Sequence, residues 1–78
     1  MTIKELDKKL REAGVKPQYY SLNGKDINDA FILKNELGKW NVYYFEKGSK
    51  YMQKYFDSES EACEYIYETL KDEPSVKE

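Results

Sequence analysis

The sequence has no histidine among its 78 residues, and this absence limits the chemistry available to it. Histidine is the commonest general base near neutral pH and the commonest protein ligand for metals. The four glycines are dispersed and each suits a turn, so no glycine-rich loop is available to cradle a phosphate. We therefore predict a protein that is not an enzyme, with no catalytic residue, no metal site and no cofactor.

The sequence also has only one cysteine and no long apolar run. One cysteine cannot form an internal disulfide, which excludes a small secreted domain held together by such bonds. No stretch approaches the ~20 apolar residues of a membrane-spanning helix, and charges interrupt the first residues too often for a signal peptide. The expectation is a cytoplasmic protein that does not enter a membrane, in which Cys63 is an inert buried thiol.

Two segments have the pattern of amphipathic helices. Each begins with a capping box, Thr-x-x-Glu at residues 2–5 and Ser-x-x-Glu at residues 58–61. The first helix should cover about residues 3–13, because Gly14 stands where a left-handed residue would end it. The second should end before Pro74. Its apolar side carries Ala62, Cys63, Ile66, Tyr67 and Leu70.

Between the helices, four short segments have the composition of β-strands and are separated by turn residues. They cover about residues 18–22, 30–34, 40–46 and 51–56. Because the connections are short and local, we predict a four-stranded antiparallel meander. The fold class is then α+β, a two-layer α-β-β-β-β-α domain over residues 1–73 whose sheet packs against both helices, with residues 74–78 as a flexible C-terminal tail.

Charge is distributed unevenly along the chain, although the net charge is only −2. Residues 14–56 carry a net +3, whereas residues 57–78 carry −6. Helical spacing gathers five carboxylates on the outer side of the second helix, at Asp57, Glu61, Glu64, Glu68 and Asp72, with no cation among them. Such a strip is either an ordinary solvated face or a surface that attracts a basic partner protein.

Aromatic residues concentrate in the last two predicted strands. Seven of the twelve aromatic residues lie between residues 40 and 56. Because side chains alternate along a strand, we assign one set to the core: Trp40, Val42, Tyr44, Met52 and Phe56. The opposite set would form an exposed aromatic sheet face that either covers lysine stems or binds a partner: Tyr43, Phe45, Tyr51 and Tyr55.

That aromatic sheet face leaves two alternative functions open. Exposed rings among lysines can stack nucleic-acid bases. However, the chain contains a single arginine, lacks an RNP-like motif and is acidic in total, which makes nucleic acid an unlikely partner. The same face could instead be the interface of a homodimer in a self-associating structural domain.

A resemblance to a known class of proteins covers about residues 40–70. It rests on Trp40-x-Val42-Tyr43-Tyr44-x-Glu46-Lys47-Gly48, followed by Phe56-Asp57-Ser58-Glu59-x-Glu61-Ala62-Cys63. These segments resemble small bacterial immunity proteins of polymorphic-toxin and contact-dependent inhibition systems, in which arginine is usual where this chain has Lys47. The resemblance implies stoichiometric inhibition by binding, without catalysis. The expected function is a protein-binding module that neutralises a cognate, basic toxin domain.

Overall fold

A computed structural model describes residues 1–77 of the chain. It contains two α-helices, a four-stranded sheet and two single-turn 3₁₀ helices, so the predicted α+β class is confirmed. In chain order the main elements are α1 (Ile3–Glu12), β1 (Tyr20–Ser21), β2 (Ala30–Glu36), β3 (Lys39–Glu46), β4 (Ser49–Phe56) and α2 (Glu59–Leu70); the 3₁₀ helices are Pro17–Tyr19 and Pro74–Val76.

Helix α1 begins and ends where its sequence pattern predicts. The Glu5 amide donates to the Thr2 hydroxyl, and the Glu5 carboxylate accepts from the Thr2 amide at 2.9 Å, which completes the capping box. These hydrogen bonds with Thr2 lower the pKa of Glu5. Leu6 and Leu10 are fully buried on the side that faces the rest of the domain. Gly14 adopts a φ of 81°, which is the left-handed conformation expected after the helix end.

Helix α2 is capped by Ser58, whose hydroxyl accepts from the Glu61 amide at 3.1 Å. Its buried side is the predicted one: Ala62, Cys63, Ile66 and Leu70 are at most 1% exposed, and Tyr67 is half-buried. These residues pack with Leu6 and Leu10 of α1 and with Val42 of the sheet. The two helices therefore pack on one face of the sheet, which is the predicted two-layer arrangement.

The sheet is mixed, so the prediction of an antiparallel meander is wrong at its first strand. The strand order is β1-β2-β3-β4, and the β2–β3 and β3–β4 pairs are antiparallel. Strand β1 has only two residues and runs parallel to β2, with Tyr20 beside Phe31. Residues 22–29 connect β1 to β2 through a wide loop, in which the Ser21 hydroxyl donates to the Lys25 carbonyl at 2.6 Å. That loop returns the chain to the start of β2.

The sheet face toward the helices holds part of the predicted aromatic core. Val42 is fully buried there, and Trp40 and Phe56 are half-buried at its margin. Tyr44 is also half-buried, and its ring lies 5.3 Å from the ring of Phe31. Met52 does not belong to this core, because 60% of it is exposed.

The opposite sheet face, called the outer face below, carries a second small core that the sequence pattern did not predict. Ala30, Ile32 and Tyr43 are fully buried in it, with Phe45 packed beside them. The hydroxyl of Tyr43 donates to the carboxylate of Asp26, which lies in the 22–29 loop. A loop residue thus reaches a face that the helices leave uncovered.

A β-bulge in β4 explains why the predicted alternation fails along that strand. Trp40 pairs with Phe56 and Val42 with Lys54, but Tyr44 pairs with Tyr51, so β4 contains one extra residue in this interval. Met52 adopts a φ of 55° there, an unusual conformation for a residue other than glycine. Directly paired residues share a face, so the bulge moves Tyr51 to the helix side of the sheet.

A flexible tail was expected for residues 74–78. The described part of this segment, residues 74–77, instead packs against the rest of the domain. Val76 is 9% exposed and belongs to the main core. The amide of Lys16 donates to the Val76 carbonyl at 2.9 Å, and Val15 forms an isolated bridge with Lys77. Glu78 lies outside the described residues.

Within residues 1–77, neither α-helix has the length and apolar character needed to cross a bilayer.

Candidate functional site

The five predicted carboxylates of α2 all lie on the surface, and we call them the acidic strip: Asp57, Glu61, Glu64, Glu68 and Asp72. The spacing of 61, 64 and 68 places the three glutamates on the side of the helix opposite its buried residues. Asp57 stands just before the N-cap, and Asp72 follows the C-cap residue. Because the buried side fixes the helix on the sheet, the strip is held on a rigid support.

Two of the five acids in the strip contact lysines, which corrects the expectation that no cation lies among them. The ammonium group of Lys39, at the start of β3, contacts the carboxylate of Asp57, and this hydrogen bond lowers the pKa of Asp57. Lys71 Nζ lies 2.9 Å from Glu68 Oε2, and that contact raises the pKa of Lys71. Within residues 1–77, no lysine or arginine forms an ion pair with Glu61 or Glu64. Within the described chain, the acids of the strip without an ion pair are therefore Glu61, Glu64 and Asp72.

The predicted aromatic sheet face does not assemble as one surface. Tyr43 is completely buried, so the prediction that it is exposed is wrong; its ring lies 6.5 Å from that of the half-buried Phe45. Burial and the hydrogen bond to Asp26 raise the pKa of Tyr43. Tyr51 and Tyr55 are exposed by 50% and 57%, but they point to opposite faces of the sheet.

Lysines stand over rings on both sides of β4. Lys50 Nζ lies 4.8 Å from the centre of the Tyr43 ring on the outer face. Lys54 Nζ lies 4.9 Å from the centre of the Tyr65 ring, on the helix side. Each contact has the geometry of a cation–π interaction. The sequence shows that these lysines lie close to aromatic residues along the chain. The bulge determines that Lys50 lies on the outer face and Lys54 on the helix side.

A groove of about 600 Å³ lies between α1 and the segment that follows it, and sequence reasoning missed it. Arg11 Nε donates to Asp7 Oδ1 at 3.2 Å, and the hydroxyl of Tyr20 donates to the same oxygen at 3.4 Å. The contact with Asp7 raises the pKa of Arg11, and burial raises the pKa of Tyr20. The i, i+4 spacing of Asp7 and Arg11 was the one available signal. The single carboxylate there is already occupied by two donors.

The one thiol is unsuited to nucleophilic chemistry. Cys63 is fully buried on the core side of α2, and burial raises the pKa of its thiol to about 11. The thiol therefore stays protonated near neutral pH and has no access to solvent. Among residues 1–77, no three acidic or cysteine side chains are grouped so that they could hold a metal ion.

Comparison with known proteins gives no match for this chain, whether against family models, curated proteins or solved structures.

Proposed function

We propose that this domain is a non-catalytic binding protein, an immunity protein that neutralises a cognate bacterial toxin by stoichiometric binding. The observation that carries the proposal is the exposed acidic strip on a helix whose other side is locked into the core. A rigid, negatively charged surface complements a basic protein and accelerates its capture. A toxin domain that acts on nucleic acid is such a basic protein.

Glu61 and Glu64 form the centre of the proposed contact. They are exposed and lack a basic partner within residues 1–77, so their charge is available to a second protein. Asp57 and Glu68 would have to exchange a lysine for a partner cation, because Lys39 and Lys71 already contact them. Since exposed ion pairs contribute only about 0–1 kcal/mol, that exchange costs little.

The nucleic-acid alternative receives less support from the arrangement of the aromatic residues. Stacking of successive bases needs several exposed rings on one surface. On the outer face Tyr55 is exposed, Phe45 is half-buried and Tyr43 is buried, while Tyr51 lies on the other side. Titration with a single-stranded oligonucleotide at low salt distinguishes this alternative from toxin binding.

The acidic strip is tested by charge reversal against the purified product of the neighbouring open reading frame. We expect the triple variant Glu61→Lys, Glu64→Lys, Glu68→Lys to lose about tenfold or more in affinity and to show a weaker dependence on salt. Glu12→Lys is the control, because Glu12 is an exposed acid on the other helix, α1. Unchanged affinity and salt dependence in the triple variant would remove the acidic strip from the mechanism.

A further inference from the structure

Strand β4 leaves one side of its backbone without a partner in the described chain. It is the last strand of the sheet, and only β3 pairs with it. Residues 49–55 are all exposed, and only Phe56 at the strand end is half-buried. An open edge of this kind presents backbone N–H and C=O groups that an extended segment of another protein can pair with.

The positive charge of this edge favours pairing with an acidic segment. Lys47, Lys50 and Lys54 lie along residues 47–56, and no acidic residue does. The bulge places Lys50 on the outer face and Lys54 on the helix side. A strand added to the edge would therefore have a positive charge beside it on each of its two faces.

We propose that the free edge of β4 binds an extended acidic segment of a partner protein by strand addition. On β3 the residues paired with Lys50 and Lys54 are three positions apart. Because side chains of a strand alternate between faces, two acidic residues three positions apart in the added segment lie on opposite faces, where one reaches Lys50 and the other Lys54. Tyr55 and Tyr51 supply one exposed ring on each face beside these lysines. The proposal is independent of the proposed function, which rests on the acidic strip of α2.

A second copy of this chain fits the same edge less well than an acidic segment does. Pairing two β4 strands would bring the lysines of both copies together, and like charges across a strand pair are destabilising. The bulge at Met52 also interrupts the regular spacing of backbone groups. Lysines and bulges are common devices that prevent edge strands from pairing with themselves.

The test uses the full chain and a synthetic peptide of about ten residues, a usual strand length, built from the repeat Thr-Thr-Glu-Glu. In this repeat the last glutamate of one unit and the first glutamate of the next are three positions apart, so they present one carboxylate to each face. By NMR at low salt we expect chemical-shift changes centred on residues 49–56 and new hydrogen-exchange protection of the β4 amides. The same peptide with one central threonine replaced by proline should bind far more weakly, because proline removes a backbone donor.

Charge reversal at the edge separates strand addition from general electrostatic attraction. The variant Lys50→Glu, Lys54→Glu should bind the acidic peptide about tenfold more weakly or worse, whereas Lys8→Glu on the exposed side of α1 should bind it normally. Peptide shifts located at the α1 groove, equal binding of the proline peptide, or no binding at millimolar peptide would each overturn the proposal. Concentration-dependent dimers with protected β4 amides in the absence of peptide would assign the edge to a second copy instead.

Discussion

Strands β3 and β4 form one hairpin with similar aromatic content, yet they occupy opposite environments. Residues 41–43 of β3 are fully buried, whereas every residue of β4 before Phe56 is exposed. The difference arises from position: β3 lies between two neighbouring strands, and β4 lies at the edge. The comparison shows that aromatic content alone does not identify a core strand. We infer that β3 maintains the fold while β4 remains available for contact.

Truncation of matched tyrosines should give the largest difference between the two strands. Tyr43→Ala removes a fully buried ring and its hydrogen bond to Asp26, so we expect a loss of about 3–5 kcal/mol in the free energy of unfolding. Tyr55→Ala on β4 should cost under about 1 kcal/mol, because more than half of the side chain is already exposed. Denaturant unfolding of both variants measures this difference. Equal losses would contradict the division of roles between the strands.

High pH should destabilise the domain, because burial raises the pKa of the Cys63 thiol and of the Tyr43 hydroxyl. The unfolded chain releases the Cys63 proton near pH 9, whereas burial holds the pKa of the folded thiol at about 11. The folded state therefore binds more protons in this interval, and the free energy of unfolding should fall by at most about 3 kcal/mol as the pH rises from 9 to 11. The measurement is the stability of the native chain and of Cys63→Ala across this range.

Cys63→Ala should show a shallower decline, because alanine has no proton to lose. The raised pKa of Tyr43 acts in the same direction above about pH 10, so Tyr43→Phe should flatten the upper part of the curve. A decline of the same slope in the native chain and in Cys63→Ala would show that the thiol does not contribute.

Glycine substitutions at the bulge should change the free energy of unfolding least, and they test which residue of β4 adopts the left-handed conformation. Met52 holds a left-handed φ of 55°, which costs a residue with a side chain about 1–2 kcal/mol. Met52→Gly should therefore raise the free energy of unfolding by up to about 1 kcal/mol after the entropy cost of glycine. Gln53→Gly, one residue along, should lower it by about 0.5–1 kcal/mol. If both substitutions destabilise equally, the bulge is not at Met52.

The helices could be predicted from the sequence because their signals are local. The capping box of α1, the serine N-cap of α2 and apolar spacing of three and four residues specify the two helices without reference to the rest of the chain. The reciprocal half of the capping box predicted for α2 does not form, because the Glu61 carboxylate accepts from the Ser58 hydroxyl instead of the Ser58 amide. The two-layer packing then follows from the helices having one apolar side each. For the same reason, the spacing of the carboxylates along α2 was enough to locate the acidic strip.

The remaining features depend on contacts between residues far apart in the sequence. Strand β1 is too short to show a period, and its parallel pairing is set by the course of the 22–29 loop. The burial of Tyr43 depends on a second core on the outer face and on Asp26, seventeen residues earlier. The bulge has no glycine to mark it, so the face of Tyr51, which precedes the bulge, was predicted wrongly, whereas those of Tyr55 and Phe56 were predicted correctly.

Amide hydrogen exchange, resolved by NMR on the isolated chain, tests the comparison between β3 and β4 most directly. We expect the interior amides of β3, including Val42 and Tyr43, to exchange at least about 10³-fold more slowly than free amides, since strands pair on both sides. Alternate amides of β4, which face its open edge, should exchange almost as fast as in an unfolded peptide. Uniform protection along β4, equal to that of β3, would show that the edge is already covered and would contradict the account.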